Sequence, residues 1–328
     1  MSVHNTPIDP VIDSVVALGG GHGLAATLSA LRLIATGITA VVTVADDGGS
    51  SGRIRRELPS MLPPGDLRMA IAALSGADDG QRVFAELLQH RFGGQGALAG
   101  HNVGNLLITG LSEVLGNDPV AALAMVGRVA GSVGTVLPMS TQPLEIVANV
   151  SGLDGADPRA IRKIRGQVAV ATTPGRVESV TLVPADPPAC DDACRAVAEA
   201  NLIVLGPGSW FTSVIPHLMV PQLRVAIEQS SALRVIALNL AAQPGETDNF
   251  SPAELLQALC DHAPDLRIDA VIADEDALSD VATLRNACRR IGATLFVGSI
   301  ERDDQPGVHD QAKYAALLTE TYLALARR

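Results

Sequence analysis

The segment VIDSVVALGGGHGLAATLSALRLIATGITAVVTVADDGGSSGR, residues 11–53, decides the fold. Residues 11–18 form an apolar, β-branched run of strand length, as expected for a strand covered on both faces. Over residues 24–35 the apolar positions Leu24, Leu28, Leu31 and Ala35 recur at helical spacing, with Gly37 as the expected stop. Residues 38–44, ITAVVTV, are a second β-branched run. Strand, helix and strand in this span make a βαβ unit, and a βαβ unit requires a parallel pair.

The chemistry sits at the two junctions of that unit. The first is Gly19-Gly20-Gly21-His22-Gly23-Leu24, in which residues 21–26 satisfy G-x-G-x-x-A. Glycine lets the backbone turn tightly and approach a phosphate. The helix expected to start at Leu24 then offers unpaired N–H groups to an anion. His22 either touches that ligand or faces solvent. The second junction holds Asp46 and Asp47, then Gly48, Gly49, Ser50, Ser51, Gly52 and Arg53. Asp46 stands at the end of the second strand, where an acid reaches a ribose hydroxyl or a Mg²⁺ that carries phosphates. Asp47 fits a cap, a turn or the same metal. The glycines and serines let amides converge, and Arg53 adds fixed positive charge. Arg55 and Arg56 read as a solvated helix face.

Downstream, Pro63-Pro64-Gly65 marks a turn with Asp66 as an N-cap for a helix to about residue 74. Helical patterns follow over about 81–91, 104–115 and 119–130. Alternation over 144–150 and parts of 168–183, broken by prolines, predicts a small antiparallel β-rich insertion at about 132–185. Strands are expected again over 202–205, 235–238, 270–272 and 294–297, with a last helix over 310–326. The fold class is therefore α/β: a three-layer αβα Rossmann-like arrangement with a mostly parallel sheet, taken as a single domain over 1–328. Three further loops fall where strands should end. One places Asn102 and Asn105 before an apolar helix. Another is Gly206-Pro207-Gly208-Ser209, with Thr212 and Ser213 following. The third starts at Asn239 and runs into residues 242–247. Ligands in open parallel sheets bind outside the carboxyl ends of the strands, so these loops should converge.

Composition narrows the function classes. A net charge of −11 argues against a phosphate-backbone footprint, and 2% aromatic residues leave few stacking surfaces for single-stranded nucleic acid. Hydrophobic residues at 47% allow a large core, necessarily aliphatic. Residues 1–14 lack a basic region followed by an apolar run, so no signal peptide is expected, and no apolar run is long enough for a membrane span. Cys190, Cys194, Cys260 and Cys288 lack zinc-site spacing and fit a reducing cytoplasm. Neither a phosphate-binding G-x-x-x-x-G-K-[ST] loop nor a G-x-S-x-G elbow is present. No general base stands out; His101 and Asp46 are the candidates.

The strings GGGHG, TVADDGGSSGRIRREL, LPPGDLR, GHNVGNLL, LGPGSWFTSVIP and AAQPGET, in this order, resemble the gluconeogenesis factor family (YvcK-like), within the wider fold group of 2-phospho-L-lactate transferase (CofD-like). The resemblance covers about residues 14–300. It implies a Rossmann-like fold, binding of UDP-activated sugars such as UDP-N-acetylglucosamine, and a role in cell-envelope synthesis, cell shape and growth on gluconeogenic carbon. No firm catalytic activity comes with it. Carried over by motif, the ligand set is Gly20, Gly21, Gly23, Asp46, Asp47, Ser50, Ser51, Asn105, Gly206, Gly208, Ser209, Thr212 and Ser213. Departures are His22 for a usual threonine, Asn102 for serine, Trp210-Phe211 for Leu-Tyr, and Ala241-Ala242 for Met-Thr. Beyond about Ala273 the match thins. The expected function is a UDP-sugar-binding regulator that acts on envelope-synthesis partners, without nucleic acid, and homodimerisation is a weak expectation. The alternative is a Mg²⁺-dependent transferase of a phospho-containing group from a nucleotide-activated donor. An NAD-dependent oxidoreductase ranks third, since the second loop is longer and more polar than hydride transfer needs.

Overall fold

The structure, a computed structural model, describes residues 10–243, 245–248 and 250–327. The expected absence of a leader in residues 1–9, and Pro244 in the loop after Ala242, lie outside the described residues. The expected βαβ unit is β1 (Ile12–Gly19), α1 (Gly21–Leu31) and β2 (Ala35–Val42), with Ala17 of β1 opposite Ala40 of a parallel β2. The boundaries of α1 and β2 differ from the sequence reading, the strand expected over 38–44 running over Ala35–Val42. α1 starts at Gly21 rather than Leu24, directly on the last residues of the strand. It also ends at Leu31, and Gly37 lies inside β2 opposite Ser14. The carbonyl of Ile34 accepts from Val11 and Ile12, which draws the chain into the sheet early. Gly37 serves close approach instead of termination: a Cβ there would lie 2.9 Å from the Asp13 carbonyl oxygen.

Five helices follow: α2 (Gly49–Glu57), α3 (Gly65–Leu74), α4 (Asp79–Gln89), α5 (Val103–Val114) and α6 (Pro119–Val129). α4 opens two residues before the apolar pattern does. Asp78 accepts from the Gln81 N–H at 2.8 Å, and Gln81 answers to the Asp78 N–H, a capping box. β3 (Thr135–Pro138) pairs in parallel with β2, so it belongs to the main sheet and not to the insertion expected from residue 132. The insertion proper is antiparallel: β4 (Glu145–Ser151), β5 (Arg162–Arg165), the short α7 (Gln167–Ala171) and β6 (Arg176–Val183), in the order β5-β4-β6.

The α/β pattern then returns with α8 (Asp191–Ala198) and β7 (Leu202–Leu205), a π-helical turn over Trp210–Val214, and a 3₁₀ turn over Ile215–Met219. α9 (Pro221–Gln229), β8 (Leu233–Ala237), α10 (Pro252–His262), β9 (Ala270–Asp274), α11 (Val281–Arg290) and β10 (Thr294–Gly298) complete the alternation. A hairpin of β11 (Glu301–Arg302) and β12 (Gln305–His309) precedes the last helix, α12 (Gln311–Ala326). The sequence reading did not anticipate that hairpin.

The main sheet has seven parallel strands in the order β10-β9-β8-β7-β1-β2-β3. From β1 the chain steps outward to β2 and β3, returns to β7 on the other side of β1, and steps outward the opposite way. Right-handed crossovers in opposite directions put helices on both faces, giving the αβα layers. The reversal lies between β1 and β7, and a crevice must open there at the carboxyl ends of the strands. The core is aliphatic, as expected, and the scarce aromatics Trp210, Phe211 and Tyr314 are fully buried in it. Among the described residues no helix is long and apolar enough to cross a membrane.

Candidate functional site

The walls of the crevice are two glycine turns pressed together. A Cβ on Gly23 would lie 2.2 Å from the Pro207 carbonyl oxygen, so only glycine lets α1 begin this close to the loop after β7. Thr27, fully buried one turn further along α1, fixes that approach. Its hydroxyl donates to the Gly206 carbonyl at 2.9 Å, and with its single proton so used it accepts from Tyr314 of α12 at 3.2 Å. Asn239, just past β8, grips the same loop from the other side: its Oδ1 accepts from Gly208 N–H at 2.7 Å and its Nδ2 donates to the Gly208 carbonyl at 3.0 Å. The resulting cavity is about 500 Å³, and its walls include His22, Gly208, Asn239, Gln243 and His309.

An acidic pair lies at the α1 end. Asp46 Oδ1 accepts from Gly48 N–H at 2.9 Å, and burial pushes its carboxyl above the usual carboxylate range despite that bond. Asp66 departs from the sequence reading. The residue at the cap position of α3 is Pro64, and Asp66 is buried in the first turn. Its carboxyl reaches across to α1: the Gly21 N–H bonds it, and a Cβ on Gly20 would lie 2.4 Å from its Oδ2. That Oδ2 has no hydrogen-bond partner. Burial first, then the Asp46 charge, push Asp66 up to about 7. Ser51 belongs to this cluster: its hydroxyl accepts from Gly65 N–H at 3.0 Å and hydrogen-bonds Asp46.

The other expected residues divide into groups. Asp47 turns away from Asp46 and accepts from Val168 N–H at 2.9 Å, capping α7 of the insertion. Ser50 bonds His101 Nδ1 at 2.9 Å, and Asn102 donates to the Gln89 carbonyl at 3.0 Å; these contacts tie α2 and α4 to the start of α5. Asn105 is buried at the start of α5 with its Oδ1 unpartnered. Arg53 reaches the Gly100 turn. Leu24 is core. Thr212 and Ser213 are buried inside the π-helical turn, so the hydroxyls expected at a helix start support the loop from behind. Buried Glu246 braces that turn, accepting from Phe211 N–H at 3.1 Å beside Ser209 and Thr212, and burial pushes it up to about 7. The bulky pair Trp210-Phe211 is core, with Trp210 Nε1 donating to the Leu255 carbonyl at 2.9 Å.

Sequence reasoning read Asp66 as a cap and missed Thr27 and His309; Gln243 lies in the expected loop after Asn239. Asp66 carried a signal, since it lies in the quoted LPPGDLR string. His309 lies beyond the span where motifs were recognisable. Among the described residues no group of three or more His, Cys, Asp or Glu side chains could hold a metal. A hard cation that keeps waters and takes ligand phosphates needs only one or two carboxylates, and the unpartnered Asp66 Oδ2 beside Asp46 fits that demand. The α1 N-terminus and its glycines fit a diphosphate.

Comparison with known proteins agrees with this layout. The model of the family described as 2-phospho-L-lactate transferase CofD matches residues 15–308. A relative from Mycobacterium tuberculosis, grouped with the gluconeogenesis factors, is 54% identical over 309 residues, covering 93% of this chain and 89% of its own. A gluconeogenesis factor of Halalkalibacterium halodurans is 36% identical over 274 residues, covering 84% of this chain and 81% of its own. A crystal structure of a UPF0052 family member from Bacillus halodurans superposes with a TM-score of 0.82 at 33% identity, covering 94% of this chain and 99% of that one. The chain belongs to the 2-phospho-L-lactate transferase (CofD) family and groups with its gluconeogenesis factors.

Proposed function

We propose that this gluconeogenesis factor relative binds a UDP-activated sugar at the β1–β7 crevice and acts as a regulator, linking nucleotide-sugar supply to envelope synthesis, cell shape and gluconeogenic growth. The observation that carries the reading is the crevice itself: glycine turns at the topological switch point, held apart by no side chain, with a cavity of about 500 Å³. The Gly20–Gly23 turn and the α1 N-terminus would hold the diphosphate. Asn239 and Gly208 would shape the wall against which the nucleoside lies. Asp46 and Asp66 would hold a Mg²⁺ bound with the ligand, which neutralises phosphate charge when present. The whole chain works as one cytoplasmic ligand-binding unit in this reading, and Asp47 couples its acidic loop to the antiparallel insertion, a surface for an envelope-synthesis partner.

The second reading, a Mg²⁺-dependent transferase, draws on one observation. Two carboxylates of raised proton affinity sit beside the helix terminus that would carry the phosphates. Calorimetry and product analysis on the pure protein with UDP-N-acetylglucosamine, NAD and Mg²⁺ separate the readings. Binding of the UDP-sugar without product supports the regulator. Magnesium-dependent conversion establishes the transferase, and binding of NAD alone overturns both.

A further inference from the structure

A second cavity of about 670 Å³ opens on the other side of His22, which lines both. Its walls carry Arg68, Arg91, Gln89 and Asn102, with Glu86 as the one carboxylate among its lining residues. Arg68 is only 6% exposed, yet its Nε has no partner, and among the described residues Gln89 is the only side chain its guanidinium bonds. Arg91 Nη1 donates to the Gly100 carbonyl at 2.6 Å and would lie 3.9 Å from a Cβ on Gly49, the first residue of α2. Arg53 Nη2 sits on the other side of the same Gly100 turn. None of the three arginines is ion-paired among the described residues, whereas other arginines of this −11 chain are. Burial and then the Arg91 charge lower the proton affinity of Arg68, while the charges of Asp66 and Asp46 raise it without either acid bonding its guanidinium.

Two cations on one cavity wall, one of them buried with an unpartnered donor, are stabilised by an anion that enters the cavity and joins them. The N-terminus of the nine-residue helix α2 lies beside Arg91, behind the cavity wall, and adds partial positive charge there. We propose that this cleft is an oxyanion subsite contiguous with the nucleotide crevice, which receives a carboxylate or phosphate beyond the nucleoside diphosphate. The proposal rests on the nucleotide-sugar reading for its neighbour, while the subsite has its own arm in the test. The oxyanion comes either on the sugar, as in a UDP-sugar acid, or on a separate small molecule that binds beside a neutral UDP-sugar.

The two sources separate by titration of wild type and Arg91→Gln with UDP-glucose, UDP-glucuronate, inorganic phosphate alone, and UDP-glucose in saturating phosphate. An attached oxyanion gives UDP-glucuronate about a tenfold advantage over UDP-glucose. A separate one leaves the two sugars equal and tightens UDP-glucose in phosphate by a similar factor. Either advantage should vanish in Arg91→Gln, an exposed position whose loss leaves the fold intact. Equal binding of both sugars with no phosphate effect, or an advantage that survives Arg91→Gln, overturns the subsite while leaving the nucleotide crevice standing. If neither UDP-sugar binds, the nucleotide reading fails and phosphate alone decides: binding that Arg91→Gln abolishes supports the subsite, and no binding overturns it.

Discussion

Replacing Asp66 by asparagine should make the empty protein more stable and destroy what it is for. The carboxyl is buried against Gly20 and Gly21, with one oxygen unpartnered and Asp46 nearby, and is pushed up to about 7. In the unfolded chain the same group titrates near its ordinary value of 3.8. The folded state therefore holds the proton more tightly. The stability that this proton supplies is fully present below about pH 4 and is lost as pH rises to about 7. At about 1.4 kcal/mol per pH unit, the gap corresponds to about 4 kcal/mol as an upper bound. Asp66→Asn keeps the shape and removes the charge, so at pH 8 it should raise the unfolding free energy by about 2–4 kcal/mol, and at pH 4 by close to nothing. Urea unfolding of both proteins at pH 4, 6 and 8 measures this directly. Added Mg²⁺ with UDP-N-acetylglucosamine should stabilise the wild type at pH 8 and leave Asp66→Asn unmoved. A variant less stable than wild type at pH 8, or a difference that ignores pH, refutes the argument that Asp66 is a strained acid kept for a ligand.

Three other outcomes follow from the geometry. Gly23→Ala should abolish UDP-sugar binding and cost about 1–3 kcal/mol of stability, since the new Cβ meets the Pro207 carbonyl oxygen at 2.2 Å; calorimetry that finds unchanged affinity would count against the crevice. Thr27→Val leaves the Gly206 carbonyl and the Tyr314 hydroxyl unpaired in the core, and thermal unfolding should show a loss of about 1–3 kcal/mol that Thr27→Ser largely restores. His217 is fully buried, its Nε2 bonded to the Val41 carbonyl at 3.0 Å, and burial pushes it down to about 4. Its contribution is present above about pH 6.5 and is lost as pH falls to about 4. His217→Gln should therefore flatten acid destabilisation in that window, and an unchanged acid limb on a pH–stability curve would remove His217 from it.

The strand–helix alternation was legible because a parallel sheet covered on both faces demands continuous apolar runs rich in β-branched residues, which β1, β2, β7, β8 and β9 contain even where they are only four or five residues long. The glycine turns were legible because their spacing is local. Asp66 was not. Read along the chain, an acid after Pro-Pro-Gly is a cap; only the packing of α3 on α1 brings its carboxyl to Gly20, a residue far away in sequence. Asp47 was ambiguous for the converse reason, because its partner, Val168, lies in an insertion whose position no local pattern specifies. Gly37 misled because a glycine needed to clear a neighbouring strand looks the same, in sequence, as one needed to end a helix.

The order of strands also bears on how the molecule is made. β1 is the first of the described strands and lies inside the sheet, between β2 and β7, yet its second neighbour joins it from far down the chain; the bond from Ser14 to Asn201 spans 187 residues. The Thr27–Tyr314 bond reaches further still, across 287 residues. Such distant pairings place a large loop-closure cost ahead of the contacts that repay it and slow folding. The β1-β2-β3 half is thus translated with β1 as an unpaired edge. The crevice acquires its second wall with β7, and Thr27 gains its Tyr314 partner only when α12 has been translated, so the crevice is completed late in the life of a nascent chain.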